Sequence, residues 1–177
     1  MTLTSMTSRR QLTLFVPLGA AATLEAIRRR VDPVQHRLIA AHVTLCRDED
    51  LADRSIAEFC ADLAHIHQPT LTLQFGPVET FAGHGVLLPC IAGELAFHRL
   101  RVDLLRSEDI EAHRPHITLA HPRNPLTVEN VASAYAALTQ PLTITFERVS
   151  LIEQVDGRPW QVRHERNLQP MLRTSPT

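Results

Sequence analysis

Cysteine is scarce in this chain. Cys46, Cys60 and Cys90 are odd in number and widely spaced, which fits neither a disulfide framework nor a Cys-x-x-Cys metal or redox site; a reducing cytoplasm is the expected setting. An excess of charge is missing too. Eighteen Lys and Arg stand against 19 Asp and Glu, for a net charge of −1, so no global basic field exists to hold long nucleic acid through many phosphates. Any anionic ligand is expected to be small or gripped locally. No stretch approaches the ~20 apolar residues of a membrane-spanning helix. Ser8-Arg9-Arg10 before Leu12-Thr13-Leu14-Phe15-Val16 has the outline of a twin-arginine export signal. The run is broken by Thr13 and Pro17, alternates like a strand and leads into a helical pattern, all of which argue against export.

What the chain does have is a hydrophobic content of 44% over 177 residues, enough for one domain with its own core, over about residues 10–168. It also has a repeated stretch. Ala41-His42-Val43-Thr44-Leu45 returns 74 residues later as Pro115-His116-Ile117-Thr118-Leu119. In an extended strand, His42 and Thr44 point one way and Val43 and Leu45 the other, and the second copy divides in the same manner. Each strand is therefore half buried and half turned toward something polar.

The rest of the chain arranges itself around these quartets. Leu12, Leu14, Val16 and Leu18 alternate as a strand; Ala20, Leu24, Ile27 and Val31 follow at helical spacing, with Arg28, Arg29 and Arg30 on the exposed side and Asp32-Pro33 as the stop. A connection through His36 and Arg37 leads to the first quartet. Asp48-Glu49-Asp50 suits the start of a second helix with the stripe Ala52, Ile56, Phe59, Cys60 and Leu63. Leu71 to Phe75 and Val78 to Cys90 read as a strand pair, and Phe97, Leu100 and Leu104 as a third helix before the second quartet. Thr127 then caps a helix through Leu138, and Leu142 to Phe146 forms a strand whose hairpin partner is Trp160 to Arg163, across an Asp156-Gly157 turn. Residues 170–177 read as a loose tail. The order is an approximate duplication: strand, helix, quartet strand, helix, strand pair, then helix, quartet strand, helix, strand pair. A pseudo-twofold would set the two quartets side by side in the middle of a sheet, with their polar faces lining one groove.

Two imidazoles near neutrality can serve as base and acid in one turnover, and two hydroxyls can donate to an anionic oxygen between them. The set suits in-line attack at phosphorus without a metal. At these residues the sequence resembles the two-histidine phosphoesterase superfamily, in particular its 2′,5′ RNA ligase-like and cyclic phosphodiesterase branch, over roughly residues 10 to 168. The resemblance implies a bilobal α+β fold with a central groove between antiparallel sheets and helices packed outside. It also implies metal-independent, cofactor-free cleavage of a cyclic phosphate or a 2′,5′-linked nucleotide or RNA end. His42 and His116 carry over as the catalytic pair, and Thr44 and Thr118 as the phosphate-binding hydroxyls. Arg47, His121, Arg123 and Arg158 are basic candidates near strand ends, and Phe15 and Trp160 aromatic ones, although each also reads as ordinary surface or packing. A monomer acting on a small phosphate substrate, with no membrane and no long nucleic acid, is expected.

Other readings use the same residues. A non-catalytic module could hold a nucleotide phosphate between the His-Thr pairs, although binding alone does not need two proton-transfer groups. A metal site built on His113, His116 and His121 lacks an evident carboxylate or thiol. The pair His65 and His67 reads as a polar helix end, and a buried, inert thiol is the reading for Cys46.

Overall fold

The computed structural model describes residues 7–51, 54–65, 68–123, 133–138 and 140–169. The opening strand β1 (Ser8–Phe15) is followed by helices α1 (Leu18–Val31) and α2 (Pro33–Leu38), and then by β2 (His42–Cys46), the first quartet. After α3 (Ile56–His65) come β3 (Leu71–Phe75), the short β4 (Glu79–Phe81), β5 (Gly85–Ala92) and α4 (Glu94–Leu105). The second quartet is β6 (His116–Ala120), and β7 (Leu142–Phe146), β8 (Arg148–Val155) and β9 (Gln161–Asn167) close the chain.

These strands form one antiparallel sheet in the order β7-β3-β5-β6-β2-β1-β8-β9, with β4 hairpinned onto β5. The order reads alike outward from the middle. Each quartet strand sits beside the strand joined to it through a helix, β1 for β2 and β5 for β6, and two further strands follow. Outer strands are exchanged between halves: β3 follows the first quartet but lies in the half of the second, and β8 and β9 follow the second but complete the half of the first. The fold is thus the expected α+β pseudo-twofold duplication, with its halves interlocked by their outer strands.

Burial explains the layering. Leu24, Ile27 and Val31 of α1, Phe59 and Leu63 of α3, and Phe97, Leu100 and Leu104 of α4 join Leu12, Leu14, Val43, Leu45, Ile117 and Leu119 of the sheet in one core. Helices thus cover one face, and the polar halves of the quartets turn to the other. Left-handed backbone is used at several turns and helix ends. Asp156 and Gly157, both at positive φ, make the expected hairpin turn, and Gly93 (φ 97°) starts α4 where a Cβ would lie 2.5 Å from the Thr72 carbonyl.

Several local expectations need correction. The segment through His36 and Arg37 is α2, because Asp32 accepts a hydrogen bond from the Gln35 N–H (3.1 Å) as an N-cap and Pro33 is pre-set for the first turn. The second helix starts at Ile56, where the Ser55 and Glu58 side chains form a capping box; the acidic run instead makes a short 3-10 turn, Glu49–Leu51. Leu18 opens α1 and is exposed. The partner of β9 is β8, not Leu142–Phe146, which pairs with β3. The helix expected from Thr127 falls mostly outside the described residues, although Ala134, Tyr135 and Leu138 are buried. His67 and the 170–177 tail also lie outside them.

Arg28 departs furthest from expectation, being 3% exposed rather than solvated. It belongs to a second repeat. Leu24-x-x-Ile27-Arg28-x-x-Val31 on α1 matches Phe97-x-x-Leu100-Arg101-x-x-Leu104 on α4, and Arg101 is 2% exposed. Arg28 donates to the Ile39 carbonyl (2.9 Å) and pairs with Glu25 (2.9 Å), whose other oxygen accepts the Ala41 N–H. Arg101 donates to the carbonyls of Leu45 (2.7 Å) and Glu111 (2.7 Å), with Asp50 at 3.7 Å. Each half thus uses a buried guanidinium, itself paired with a carboxylate, to fix backbone at a quartet. Replacing Arg101 with Met keeps the stem but takes the donor away from the buried Leu45 carbonyl and the partly buried Glu111 carbonyl. It is expected to cost about 2–4 kcal/mol in urea unfolding, whereas Arg29→Met on the exposed side of α1 should stay within about 0.5 kcal/mol. Equal effects would contradict this account of the arginine.

Candidate active site

Alternation in β2 and β6 turns out as read from the sequence: His42 and Thr44, like His116 and Thr118, are partly open, while Val43, Leu45, Ile117 and Leu119 are buried. The two strands meet at the antiparallel pair Val43↔Ile117. Continuing that register sets Thr118 opposite His42 and His116 opposite Thr44, all four on the face away from the core. Each histidine therefore has the other motif's threonine as its cross-strand neighbour.

The imidazoles are held alike. His42 Nδ1 lies 2.8 Å from the Ala40 carbonyl and His116 Nδ1 lies 3.0 Å from the Arg114 carbonyl, in both cases two residues back along the chain. A carbonyl only accepts, so Nδ1 carries the proton and each Nε2 is the nitrogen left for chemistry. Burial, with the charge of Arg28 and the neighbouring His116 adding to it, pushes the pKa of His42 down to about 4. That of His116 is also lowered, first by burial and then by Arg47 and Arg114. Aromatic edges border both rings: Phe15 is T-shaped to His42 at 6.3 Å between centroids, and Phe81 is tilted to His116 at 6.2 Å.

A cavity of about 250 Å³ opens over the first motif, lined by His42, Thr44, Thr118, His121, Arg123 and Trp160 among the residues singled out from sequence. Phe15 lines the adjoining, more apolar hollow, which shares Ile39 and Trp160 with the first. His116 and Arg47 do not line the cavity. Arg158 is engaged through its backbone, its carbonyl accepting from Gln154 (2.8 Å). Cys46 is fully buried and its pKa is pushed up to about 12 by burial, so it takes no part. Among the described residues, no group of three or more His, Cys, Asp or Glu is placed to hold a metal ion. His113 lies beside His116 (5.7 Å) and packs on Phe97 (6.1 Å).

Several lining residues were missed in the sequence, Asp32, Arg9 and Gln11 among them. Asp32, fully buried, accepts the N–H of His121 (2.8 Å) and so ties the corner of α1 and α2 to the end of β6. Arg9 places its guanidinium over Trp160 (5.4 Å) and bonds Gln154, and Gln11 donates to Thr44 (3.1 Å). Alternation along β1 offered a signal for the last two, because Arg9, Gln11, Thr13 and Phe15 share the parity opposite to Leu12 and Leu14.

A family model for the 2′-5′ RNA ligase superfamily matches residues 16–158. The chain belongs to that superfamily. Solved structures with the same fold include LigT of E. coli complexed with NADP+, at a TM-score of 0.62 and 18% identity over 92% of this chain and 98% of that one. LigT complexed with 3′-AMP gives 0.62 and 19% with the same coverage. A structure titled only as a phosphoesterase gives 0.57 and 16%, covering 92% of this chain and 99% of that one. No curated protein matches. Membership of the 2′-5′ RNA ligase superfamily agrees with the resemblance read from the paired quartets, and the likeness to LigT extends the shared fold over nearly the whole chain.

The lowered histidine pKa values also set a stability trend. A histidine whose folded pKa lies below the unfolded value of about 6.5 takes up its proton more readily when unfolded, so stability is full above that pH and is lost as pH falls toward the folded value. Thermal midpoints should therefore drop between pH 6.5 and about 4, and His42→Asn should flatten that part of the curve. A midpoint rising over this range would contradict the burial of the rings.

Proposed function

We propose that this member of the 2′-5′ RNA ligase superfamily is a metal-independent phosphodiesterase that opens a cyclic phosphate, or a 2′,5′ linkage, at a small nucleotide or RNA end. The observation that carries the reading is the matched pair of imidazoles, each with Nδ1 committed to a carbonyl so that Nε2 is left for proton transfer, on adjacent strands whose register pairs each histidine with the threonine of the other motif. In this reading a phosphate seats between the strands and accepts hydrogen bonds from Thr44 and Thr118. One Nε2 takes a proton from the attacking water while the other, protonated, gives a proton to the leaving ribose oxygen; the histidines exchange roles when the reaction runs in reverse. Nothing in these steps calls for a cofactor. Support for a small nucleotide comes from the size of the cavity and from the LigT structures, which are complexed with NADP+, ATP, phosphate or 3′-AMP.

Hydrolysis of a nucleoside 2′,3′-cyclic phosphate in chelator tests this directly. His42→Ala and His116→Ala should each lower kcat by roughly 10²–10⁴-fold with the thermal midpoint at pH 8 retained, and chelator should leave the wild type unchanged. An active wild type matched by either variant would refute the assignment. The pH profile is a second check. One histidine must be protonated and both have lowered pKa values, so kcat/KM should peak below pH 6.5 and fall as pH rises above it. A peak above pH 7.5 would exclude a histidine as the acid.

A further inference from the structure

The two threonines are not equivalent, although the repeat makes them look so. Thr44 Oγ1 lies 3.1 Å from Gln11 Nε2, which donates to it. A hydroxyl has one proton and two lone pairs. With one lone pair taken by an amide donor anchored in β1, the Thr44 proton is directed away from Gln11, into the cavity that both residues line. Gln11 is well placed to hold this direction. Its neighbour Thr13 pairs with Thr44 in the β1·β2 register, so Gln11 reaches Thr44 along the diagonal of the same face, and across the sheet it pairs with Ile152, which is fully buried. Among the described residues the other half shows no counterpart. Thr118 pairs with Leu87 on β5, and the residue two back along that strand is Gly85; neither side chain can donate to it.

We infer that Gln11 is a positioning residue that makes Thr44 a one-way hydrogen-bond donor to the phosphate, while Thr118 is free to turn. This rests on the functional reading above and adds an asymmetry to it: an anionic oxygen seats first on Thr44, and the first motif, not the second, fixes the orientation of the phosphate. Desolvated donors aimed before the ligand arrives cost no reorganisation on binding.

A double-mutant cycle on binding separates this from a structural role. Calorimetry with adenosine 3′-monophosphate at pH 7, in chelator, should show Gln11→Ala weakening binding about tenfold in the wild-type background and less than about twofold when Thr44 is already Val. Gln11→Glu puts an acceptor where the donor was and would draw the Thr44 proton back; its loss should exceed that of Gln11→Ala, and the excess should shrink in Thr44→Val after the shared charge repulsion is subtracted. Thr44→Ser, which keeps the hydroxyl, should restore the coupling. Equal losses from Gln11→Ala in both backgrounds would overturn the inference, as would a Gln11→Glu variant that binds like wild type. Coupled binding without turnover of any cyclic phosphate would support the role of Gln11 while refuting the catalytic reading, and a wild type that neither binds the nucleotide nor turns over would refute both.

Discussion

One antiparallel contact, Val43 against Ile117, organises the molecule. There the two halves of the sheet join through their quartet strands, and that register decides which side chains share the groove. The strand period is two, so a slip of one residue would put His42 and Thr44 on the core side and expose Val43 and Leu45. Four buried aliphatic side chains, each contributing roughly 1.5–3 kcal/mol through burial, oppose such a slip. The groove is polar because its reverse side is apolar.

A site built on two strands needs both held at their ends, and the fold does this with buried charge. Arg28 and Glu25 secure the chain entering β2, Arg101 secures the chain leaving it together with the loop before β6, and Asp32 secures the chain leaving β6. These groups take up backbone donors and acceptors that irregular chain would otherwise leave unpaired. They also put positive charge near His42, whose pKa is lowered by burial first and by Arg28 among lesser causes. The duplicated plan thus supplies a matched pair of struts, and the unduplicated ones, Asp32 and Gln11, are where the halves diverge.

How much of this could be read from the chain depends on whether a feature is local or long-range. The quartets announce themselves because period-two alternation is written directly in His42-Val43-Thr44-Leu45 and its copy. The helices α1 and α4 are legible from apolar spacing, and the Asp156-Gly157 turn from its backbone preference. Arg28 was misread because a charged residue beside Arg29 and Arg30 looks solvated, and its partners, Glu25 and the carbonyl of Ile39 eleven residues on, become visible together only in the fold. The strand β8 was missed because Val149, Leu151 and Ile152 break alternation, being buried on both faces between β1 and β9. Asp32 reads as a helix stop, which it is, but its second oxygen serves His121, and no sequence pattern links residues 89 positions apart.

In the proposed mechanism His42 and His116 act as one acid–base unit rather than as two independent groups. The most direct measurement is the turnover of the double variant His42→Ala/His116→Ala on a nucleoside 2′,3′-cyclic phosphate, compared with the two single variants. Groups that work together in one transition state are strongly non-additive, so the double variant should lose about as much as either single one. Losses that multiply would show two histidines contributing separately, and the single shared site described above would then be wrong.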